Sequence, residues 1–338
     1  MIVKNLNIKE FRGIKSCKRP IEFSKFTVLI GRNNSGKTTI LEALSLLPNP
    51  ITAEIITTKP KIDFIRDNHG EDIISLSESK TYKNLLYQYA GTSIIEYNNI
   101  GDKMFKLTID YKKTEFETET IKINGVNKEK DLVIRLEKGR IYNNFNKIIT
   151  EKSGTSILFI PYNSEYIRHI ENKINDLQEL IIKNGIHVKV AKSLNKCVDD
   201  EYSEILFGKP MRLRKIFPDN FTYIRINDLG SGAEKLVKIM ILIEVIKPKL
   251  ILLDDFEVGY HPTMIEVFLK WLIELDSQVV ISTHSIDILY KLSDIDPEDS
   301  RVLFLKKSNE DILDYNTLTL NEIEDLLNAN TDPRKLDF

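Results

Sequence analysis

Eight residues near the N-terminus, Gly31–Thr38 with the sequence GRNNSGKT, match the pattern G-x-x-x-x-G-K-[ST]. They follow an apolar run, Phe26–Ile30, and precede a segment from about Thr38 to Leu47 whose apolar residues recur at helical spacing. A strand, a glycine-bounded loop and the start of a helix form the context in which this pattern binds phosphate. The sequence therefore predicts a phosphate-binding loop in an α/β protein.

The residue types of this loop suit a nucleotide bound with magnesium. Backbone N–H groups of residues 33–38 would surround the β-phosphate, and the dipole of the following helix favours an anion. The Lys37 ammonium would neutralise the β- and γ-phosphates, and the Thr38 hydroxyl would bind Mg²⁺. The loop residues predicted to bind nucleotide are Gly31, Asn33, Asn34, Ser35, Gly36, Lys37 and Thr38.

A second motif carries two acids at the end of an apolar strand. Leu250–Leu253 is followed by Asp254 and Asp255, the form of a Walker B strand. Such a strand delivers its first carboxylate to the Mg²⁺ beside the phosphate loop, so Asp254 is predicted to hold the metal and Asp255 to act as the general base. A solvated strand end would look the same in isolation, and the upstream phosphate loop favours the functional interpretation.

Two weaker motifs accompany these. Gly230–Gly232 precedes a strong helix, and the Ser231 hydroxyl could bind an anion there, although such a turn often only begins a helix. Val279–Ile281 is followed by Ser-Thr-His, which places His284 at the same carboxyl edge of a parallel sheet as Asp254. A lone histidine is usually structural, but this position predicts a phosphate sensor.

Composition excludes several classes of protein. Forty-eight Lys and Arg stand against 50 Asp and Glu, so the chain lacks the global positive charge of a protein held to nucleic acid mainly by its field. Cys17 and Cys197 lie far apart, which indicates neither a disulfide scaffold nor a zinc module. The N-terminus alternates like a strand, and the most apolar stretch, 236–253, is interrupted by charges and a proline. We expect a reduced, cytoplasmic protein that does not enter a membrane.

The middle of the chain changes character twice. Short β-rich runs separated by turns predict an antiparallel meander at about 90–155, closed by a buried strand at 156–162. One long helix capped by Asn163 or Ser164 should follow, then a second helical segment to about Phe207. A basic loop comes next, which could be a solvated surface or a contact for nucleic acid or a partner. Its basic residues are Lys209, Arg212, Arg214 and Lys215. Alternating helices and apolar strands after about Ala233 indicate a mainly parallel sheet.

The order of these motifs resembles the ABC-type ATPases, and within them the RecF/SMC-related branch that includes the OLD (overcoming lysogenization defect) family. Leu6–Ile14 and Gly31–Ala43 are similar to the opening of that branch, and Asp254–Pro262 is similar to its Asp-Glu-Pro-Glu…His-Pro segment. The resemblance covers roughly the first 45 and the last 120 residues. It implies a P-loop NTPase fold with an ABC-type mixed sheet, an antiparallel β subdomain and an inserted helical lobe.

The resemblance also implies roles for single residues. Two ATP molecules would lie between two subunits, with the signature turn at Ser231 and Gly232 of one subunit completing the ATP site of the other. Arg12 and Thr39 would join the phosphate loop in binding nucleotide. The implied catalytic group is Asp255, Glu257 and His284.

Two departures from the family pattern qualify this implication. Asp255 stands where the resemblance places a glutamate, so either the backbone approaches the attacking water more closely, Glu257 shares the work, or turnover is slow. The stretch between Lys37 and Ser231 resembles neither a compact transporter ATPase nor an SMC arm, which implies a short inserted lobe. The end at Phe338 leaves no room for the Toprim domain of many OLD proteins, so we expect any nuclease activity to come from another chain.

We therefore expect an ATPase core at 1–160 and 248–310, a helical lobe at about 161–247 and a C-terminal tail at 311–338. The leading hypothesis is a Mg-dependent ATPase that forms a homodimer or higher homo-oligomer with ATP and acts in DNA repair, maintenance or phage defence, with DNA or an effector protein on its surface. The alternative is a slowly hydrolysing regulator that gates a partner effector such as a nuclease. A transporter ATPase is disfavoured by the insertion.

Overall fold

The computed structural model describes residues 2–47, 49–69, 82–99, 104–113, 119–124, 132–137, 140–143 and 157–335. Its strands are β1 (Val3–Phe11), β2 (Ile14–Cys17), β3 (Ile21–Glu22), β4 (Phe26–Ile30), β5 (Thr92–Asn99), β6 (Met104–Lys113), β7 (Glu119–Asn124), β8 (Leu132–Glu137), β9 (Arg140–Asn143), β10 (Ile157–Ile160), β11 (Tyr202–Leu206), β12 (Arg212–Ile216), β13 (Phe221–Arg225), β14 (Leu250–Leu253), β15 (Gln278–Ser282), β16 (Ser300–Lys307) and β17 (Ile312–Leu318). Its α-helices are α1 (Lys37–Ser45), α2 (Lys61–Asp67), α3 (Ser164–Asp176), α4 (Gln178–Lys183), α5 (Ile186–Leu194), α6 (Ser231–Ile246), α7 (Pro262–Glu274), α8 (Ile286–Ile295) and α9 (Leu320–Asn328).

One mixed sheet dominates the fold, in the order β10-β14-β15-β4-β16-β17-β2-β1-β5-β6-β7-β8-β9, with β3 paired to β1. The five strands from β10 to β16 are parallel. Every residue of β4, β14 and β15 is buried, as expected for parallel strands covered on both faces, and α1 packs on this part of the sheet. Their carboxyl ends therefore lie side by side at one edge, and this mixed α/β architecture confirms the predicted fold class.

The other half of the sheet is an antiparallel meander. Strands β5 to β9 pair in sequence order, and β5 joins the meander to β1, so the meander continues the main sheet. The prediction that the next strand closes this meander is wrong. Strand β10 instead lies at the opposite edge of the sheet, parallel to β14, because its four buried apolar residues need cover on both faces.

The segment between β10 and β14 combines helices with a small sheet. Asn163 caps α3, since its side chain accepts a hydrogen bond from the Glu165 amide. The helix ends near Leu177, so the single long helix of the prediction is two helices, α3 and α4. Helix α5 ends at Leu194, and 202–206 is strand rather than helix. The predicted basic loop is also wrong in part, because residues 212–216 form β12, the central strand of a sheet of β11, β12 and β13.

The C-terminal segment belongs to the main sheet. Residues 312–318, which we assigned to a tail, form β17, which pairs with β16 and β2. Helix α9 follows with a capping box at Thr319 and packs on α8. Within the described ranges, no helix is long and apolar enough to span a bilayer.

Candidate active site

The loop between β4 and α1 depends on two glycines. Gly31 and Gly36 have φ of 147° and 98°. A Cβ at Gly31 would lie 2.5 Å from the Leu305 carbonyl oxygen, so only glycine fits there. The Ser35 Oγ is buried beside this position and has no hydrogen-bond partner among the described residues. The loop is a tight backbone cradle with a spare hydroxyl, which suits an oxyanion ligand.

Lys37 supplies the cation of this cradle. Its Nζ donates to the carbonyl oxygens of Gly31 and Arg32 at 3.0 and 3.1 Å, and the side chain is buried. Burial lowers the pKa of Lys37, and the carboxylates of Asp255, Asp254 and Glu257, in that order of strength, act to raise it. The ammonium is thus held inside the loop and faces the acidic residues of the neighbouring strands.

The acid that ends β14 is tied to the phosphate loop. Thr38 Oγ1 donates to both carboxylate oxygens of Asp254, at 3.0 and 3.2 Å, and the Ser282 hydroxyl at the end of β15 also donates to Asp254. Burial raises the pKa of Asp254 to about 6, and the charge of Asp255 adds to this rise. A carboxylate this costly to bury is suited to a cation.

The next two acids occupy different surroundings. Asp255 has a φ of 41°, its amide donates to Ser282 Oγ at 3.1 Å, and its carboxylate lies 3.9 Å from His284 Nε2. Glu257 is buried, accepts from the Thr283 hydroxyl, and accepts from the His284 amide at 3.3 Å. Burial raises the pKa of Glu257. Glu257 therefore orders the turn after β15, whereas the Asp255 side chain is a quarter exposed.

His284 stands between these acids and the C-terminal segment. Burial lowers the pKa of His284, Lys37 and Arg334 lower it further, and Asp255 opposes them. Arg334 donates to the His284 carbonyl oxygen and pairs with Asp332 at 2.7 Å. The imidazole is thus biased toward its neutral form, in which one ring nitrogen can still donate a hydrogen bond.

A cavity of about 430 Å³ opens over the phosphate loop. It is lined by Arg12, Gly13, Asn33, Asn34, Ser35, Gly36, Lys37, Thr38, Thr39, His69 and His284. Two contacts hold the Arg12 guanidinium at this cavity: its Nε lies 3.1 Å from Glu42, and its NH2 lies 2.8 Å from His69 Nδ1. Glu42 is almost fully buried, so Arg12 is fixed at the rim of the cavity.

These residues fit a nucleotide with Mg²⁺. Three features suit a phosphate chain: the backbone at Gly31 leaves no room for a Cβ, the Ser35 hydroxyl has no partner among the described residues, and the Lys37 ammonium is buried in the loop. Among the described residues, no three His, Cys, Asp or Glu side chains cluster as a complete metal cage. Thr38 Oγ1 and the Asp254 carboxylate, which lie together, are the one or two protein oxygens that Mg²⁺ takes when substrate phosphates supply others.

The Gly-Ser-Gly turn lies outside this cavity. Ser231 is exposed at the start of α6 and lines a separate cavity of about 740 Å³ with Tyr162, Asn227 and Lys235. Gly232 is buried, and a Cβ there would lie 2.2 Å from the Gly259 carbonyl oxygen. Gly232 therefore allows α6 to contact the backbone that follows Glu257.

One protein family matches most of the chain. The family described as "AAA domain, putative AbiEii toxin, Type IV TA system" matches residues 26–289, which contain the phosphate loop, the acidic strand and His284. The chain belongs to this family. Family membership and the phosphate-loop cavity together identify an ATP-binding ATPase.

Two further proteins are similar to this chain. A Helicobacter pylori protein named "ATP/GTP phosphatase" is 21% identical over 331 residues, covering 87% of this chain and 88% of its own. An SMC head bound to the C-terminal winged-helix domain of ScpA is 13% identical and covers 95% of this chain and 99% of its own, with a TM-score of 0.53. At that identity, the similarity to the SMC head concerns the fold alone.

The sequence predicted much of this ATPase site and missed its supporting residues. Lys37, Thr38, Asp254, Asp255, Glu257 and His284 meet at one sheet edge, and Arg12 and Thr39 line the cavity above it. Ser231 and Gly232 are not brought into that cavity. Ser282 and Thr283, the hydroxyls that hold the acids, adjoin His284 in a motif already singled out. His69 and Arg334 carried no sequence signal.

Proposed function

We propose that the chain is a Mg-dependent ATPase in which the Ser231 turn of one subunit completes the nucleotide site of a second subunit. The proposal rests on one observation: the phosphate loop and the acidic residues lie apart from the Gly-Ser-Gly turn at Ser231. Lys37 and the acids line one cavity, while Ser231 is exposed on another. An exposed turn at a helix N-terminus that no side chain caps is suited to an anion brought by another molecule.

For the chemistry, Thr38 and Asp254 would hold Mg²⁺, which when bound shields the charge of the β- and γ-phosphates. We assign the general base to Asp255 because its carboxylate is partly exposed and lies 3.9 Å from His284 Nε2, whereas Glu257 is buried. Glu257 is a positioning residue, since Thr283 and the His284 amide already bind one of its oxygens. His284 would donate a hydrogen bond to the terminal phosphate.

Dimerisation would act as the switch. ATP bridges the two subunits through its γ-phosphate, and hydrolysis removes that bridge, so ATP favours the closed dimer and ADP the open state. The relative named "ATP/GTP phosphatase" makes GTP a second nucleotide to test.

The test uses a hydrolysis-deficient background and light scattering. Asp255→Asn protein should become dimeric, or form a tighter dimer, with ATP and not with ADP. Adding Ser231→Arg should cancel the effect and preserve ATP binding, because the new side chain occupies the turn without touching its own phosphate loop. Asn184→Arg, which places the same cation at the exposed end of α4, is the matched control and should leave the mass shift intact.

Complementation gives an independent readout. Mixing Ser231→Arg with Lys37→Ala protein should restore one working composite site per heterodimer, and hence ATPase activity that neither variant has alone. If the mass measured by light scattering changes neither with nucleotide nor with Ser231→Arg, and the mixture shows no activity, the dimer proposal is wrong. The chain would then be an ATPase whose site is complete within one subunit.

For the biological role, we propose an OLD-like cytoplasmic ATPase that serves DNA repair, DNA maintenance or phage defence. The SMC head neighbour binds a winged-helix partner domain, which supports a partner protein for this fold. The second candidate is a slow ATP-dependent regulator of an effector, favoured by the shorter Asp255 side chain and by a family description that names a putative toxin. Steady-state ATPase rates with and without duplex DNA separate the two, since only the first predicts stimulation.

A further inference from the structure

The hairpin of β12 and β13 carries arginine and aromatic residues on one face. Its antiparallel register sets Leu213 opposite Ile224 on the face packed against the core. The neighbouring pairs point the other way. They form what we call the arginine–aromatic face, made of Arg212, Arg214, Ile216, Phe221, Tyr223 and Arg225.

The outer face differs from that of an ordinary solvated strand. Leu213 is fully buried on the inner face, yet Phe221 and Tyr223 on the outer face are 49% and 47% exposed. A sheet packed on one side usually alternates apolar with polar residues. Packing against the described residues therefore does not account for the exposure of these rings.

The charge on this hairpin is predominantly positive. Five Lys and Arg and a single Asp lie between Phe207 and Arg225, in a chain whose formal net charge is -2. Arg212 is exposed and forms no ion pair with another described residue. Arg225 pairs with Asp228 at 3.1 Å, but both side chains are about half exposed, so the pair can exchange for an external anion at little cost.

The side chains also hold one another in place. The Arg214 guanidinium lies 4.0 Å above the Phe221 ring, and the Phe221 and Tyr223 rings meet edge to face at 5.6 Å. Strand β13 pairs only with β12 among the described strands, so the face continues to an open sheet edge. Arg214 also pairs with Glu204 at 3.4 Å, so Arg212 is the arginine of this face without an ion pair among the described residues. Ordered rings beside Arg212 and the exchangeable Arg225 form a platform on which a ligand can stack.

We propose that the arginine–aromatic face binds single-stranded nucleic acid, with phosphates on Arg212 and Arg225 and bases stacked on Phe221 and Tyr223. The phosphates of duplex DNA could pair with the arginines, but its bases are stacked on one another and their faces are not available to the rings. An acidic peptide could also pair with the arginines, but it offers no flat surface that stacks on Phe221 and Tyr223. Only a single strand offers both an anionic backbone and free base faces. The site deepens the proposed DNA-linked role and rests on it for its biological ligand, while the binding itself needs neither ATP nor the dimer.

The experiment measures fluorescence anisotropy of labelled oligo-dT, oligo-U and a duplex of equal length, without nucleotide, from 50 to 300 mM salt. The double variant Phe221→Ala/Tyr223→Ala should weaken oligo-dT binding by about tenfold or more, because each ring that is removed takes away the surface on which one base stacks. Arg212→Ala should lower the magnitude of the log–log salt slope by about 0.7, the value for one phosphate contact on a single strand.

Matched controls lie elsewhere on the surface. Tyr290→Ala removes an exposed ring on α8, and Lys270→Ala removes an exposed cation on α7; neither should change oligonucleotide affinity. If the alanine double variant unfolds, Phe221→Leu/Tyr223→Leu keeps the apolar volume and removes only the aromatic rings, and it should lose the same affinity.

Three outcomes would overturn the proposal. The first is that Tyr290→Ala lowers oligonucleotide affinity as much as the double variant does. The second is that the duplex binds as tightly as oligo-dT and that removing the two rings does not change this affinity. The third is that the double variant changes self-association of the chain and leaves oligonucleotide binding unchanged. The last would assign the face to contact between copies of the chain. None of these results would affect the light-scattering test of the ATP-dependent dimer, so the two proposals can fail separately.

Discussion

The nucleotide edge of the sheet and the lobe that carries Ser231 are built in opposite ways. At the sheet edge, Lys37, Thr38 and Glu257 each have a hydrogen-bond partner from their own chain. On the lobe, Ser231 is exposed, the start of α6 has no side-chain cap, and the rings of β13 face outward. The first region is preorganised by internal contacts, whereas the second leaves Ser231 and the rings of β13 exposed to other molecules.

The strongest test of the internally completed region is Lys37→Ala. It removes the cation set against the β- and γ-phosphates in a loop that otherwise relies on backbone donors, so Mg·ATP binding should be abolished. Isothermal titration calorimetry measures the affinity. Lys9→Ala, an exposed lysine on β1, is the control and should bind as the parent does. Parent-like affinity in Lys37→Ala would refute the phosphate-loop assignment.

The next largest effect should separate Asp255 from Glu257. Asp255→Asn should keep nucleotide affinity and lower kcat by at least about 100-fold, the usual share of a general base. Glu257→Gln should lose less, because an amide oxygen can still accept from Thr283 and the His284 amide. Single-turnover ATPase kinetics decide between them, and a larger loss in Glu257→Gln would reverse our assignment of the base.

The contact between the two regions can be tested by stability. Gly232→Ala puts a Cβ 2.2 Å from the Gly259 carbonyl oxygen, so the free energy of unfolding should fall by about 1–3 kcal/mol. Gly208→Ala is the matched control, since its Cβ would make only an ordinary contact, 3.6 Å from the Pro210 carbonyl oxygen, and its stability should equal that of the parent. Urea unfolding followed by circular dichroism measures both. Equal stability of Gly232→Ala and the parent would contradict the close contact.

The smallest effect concerns pH. Because the pKa of Asp254 rises to about 6 on folding, the folded chain holds more protons than the unfolded chain between about pH 4 and 6, and Asp254 costs stability as pH rises through this window. In EDTA at pH 7.5, Asp254→Asn should therefore raise the free energy of unfolding, by an amount that shrinks as the pH falls through 6 and vanishes below about pH 4.

Metal provides the control for that prediction. Mg²⁺ with nucleotide should stabilise the parent and not Asp254→Asn, since the variant lacks the proposed ligand. Asp276→Asn, an exposed aspartate before β15, should change neither the stability in EDTA nor the response to Mg²⁺. A parent-like response of Asp254→Asn to Mg²⁺ would remove Asp254 from the metal site.

The sequence predicted the regions where chemistry fixes local spacing. Gly31, Gly36 and Lys37 belong to one loop, and buried parallel strands such as β14 have a recognisable apolar run, so the sheet edge could be assembled from motifs. The Arg12–His69 contact joins residues that are distant in sequence, and no local pattern reports such a pairing.

Short elements with mixed patterns were missed. In Tyr202–Leu206 the buried residues are Tyr202 and Ile205, and this spacing of three residues also fits one turn of a helix. The segment is a strand because it pairs with β12, which the local sequence does not reveal. Helix α3 ends near Leu177 without glycine or proline to mark it. In β17, Leu313 and Tyr315 alternate with polar residues, a signal that could have identified the strand before the structure.

The contact of Gly232 with Gly259 has a mechanical consequence. In each subunit of the proposed dimer, the turn that engages the partner's phosphate rests backbone to backbone on the loop that follows this subunit's own Glu257. A shift of one is transmitted to the other without a flexible side chain to absorb it. The two nucleotide sites of the proposed dimer would then be mechanically coupled. ATP binding at the first site would alter the rate of hydrolysis at the second.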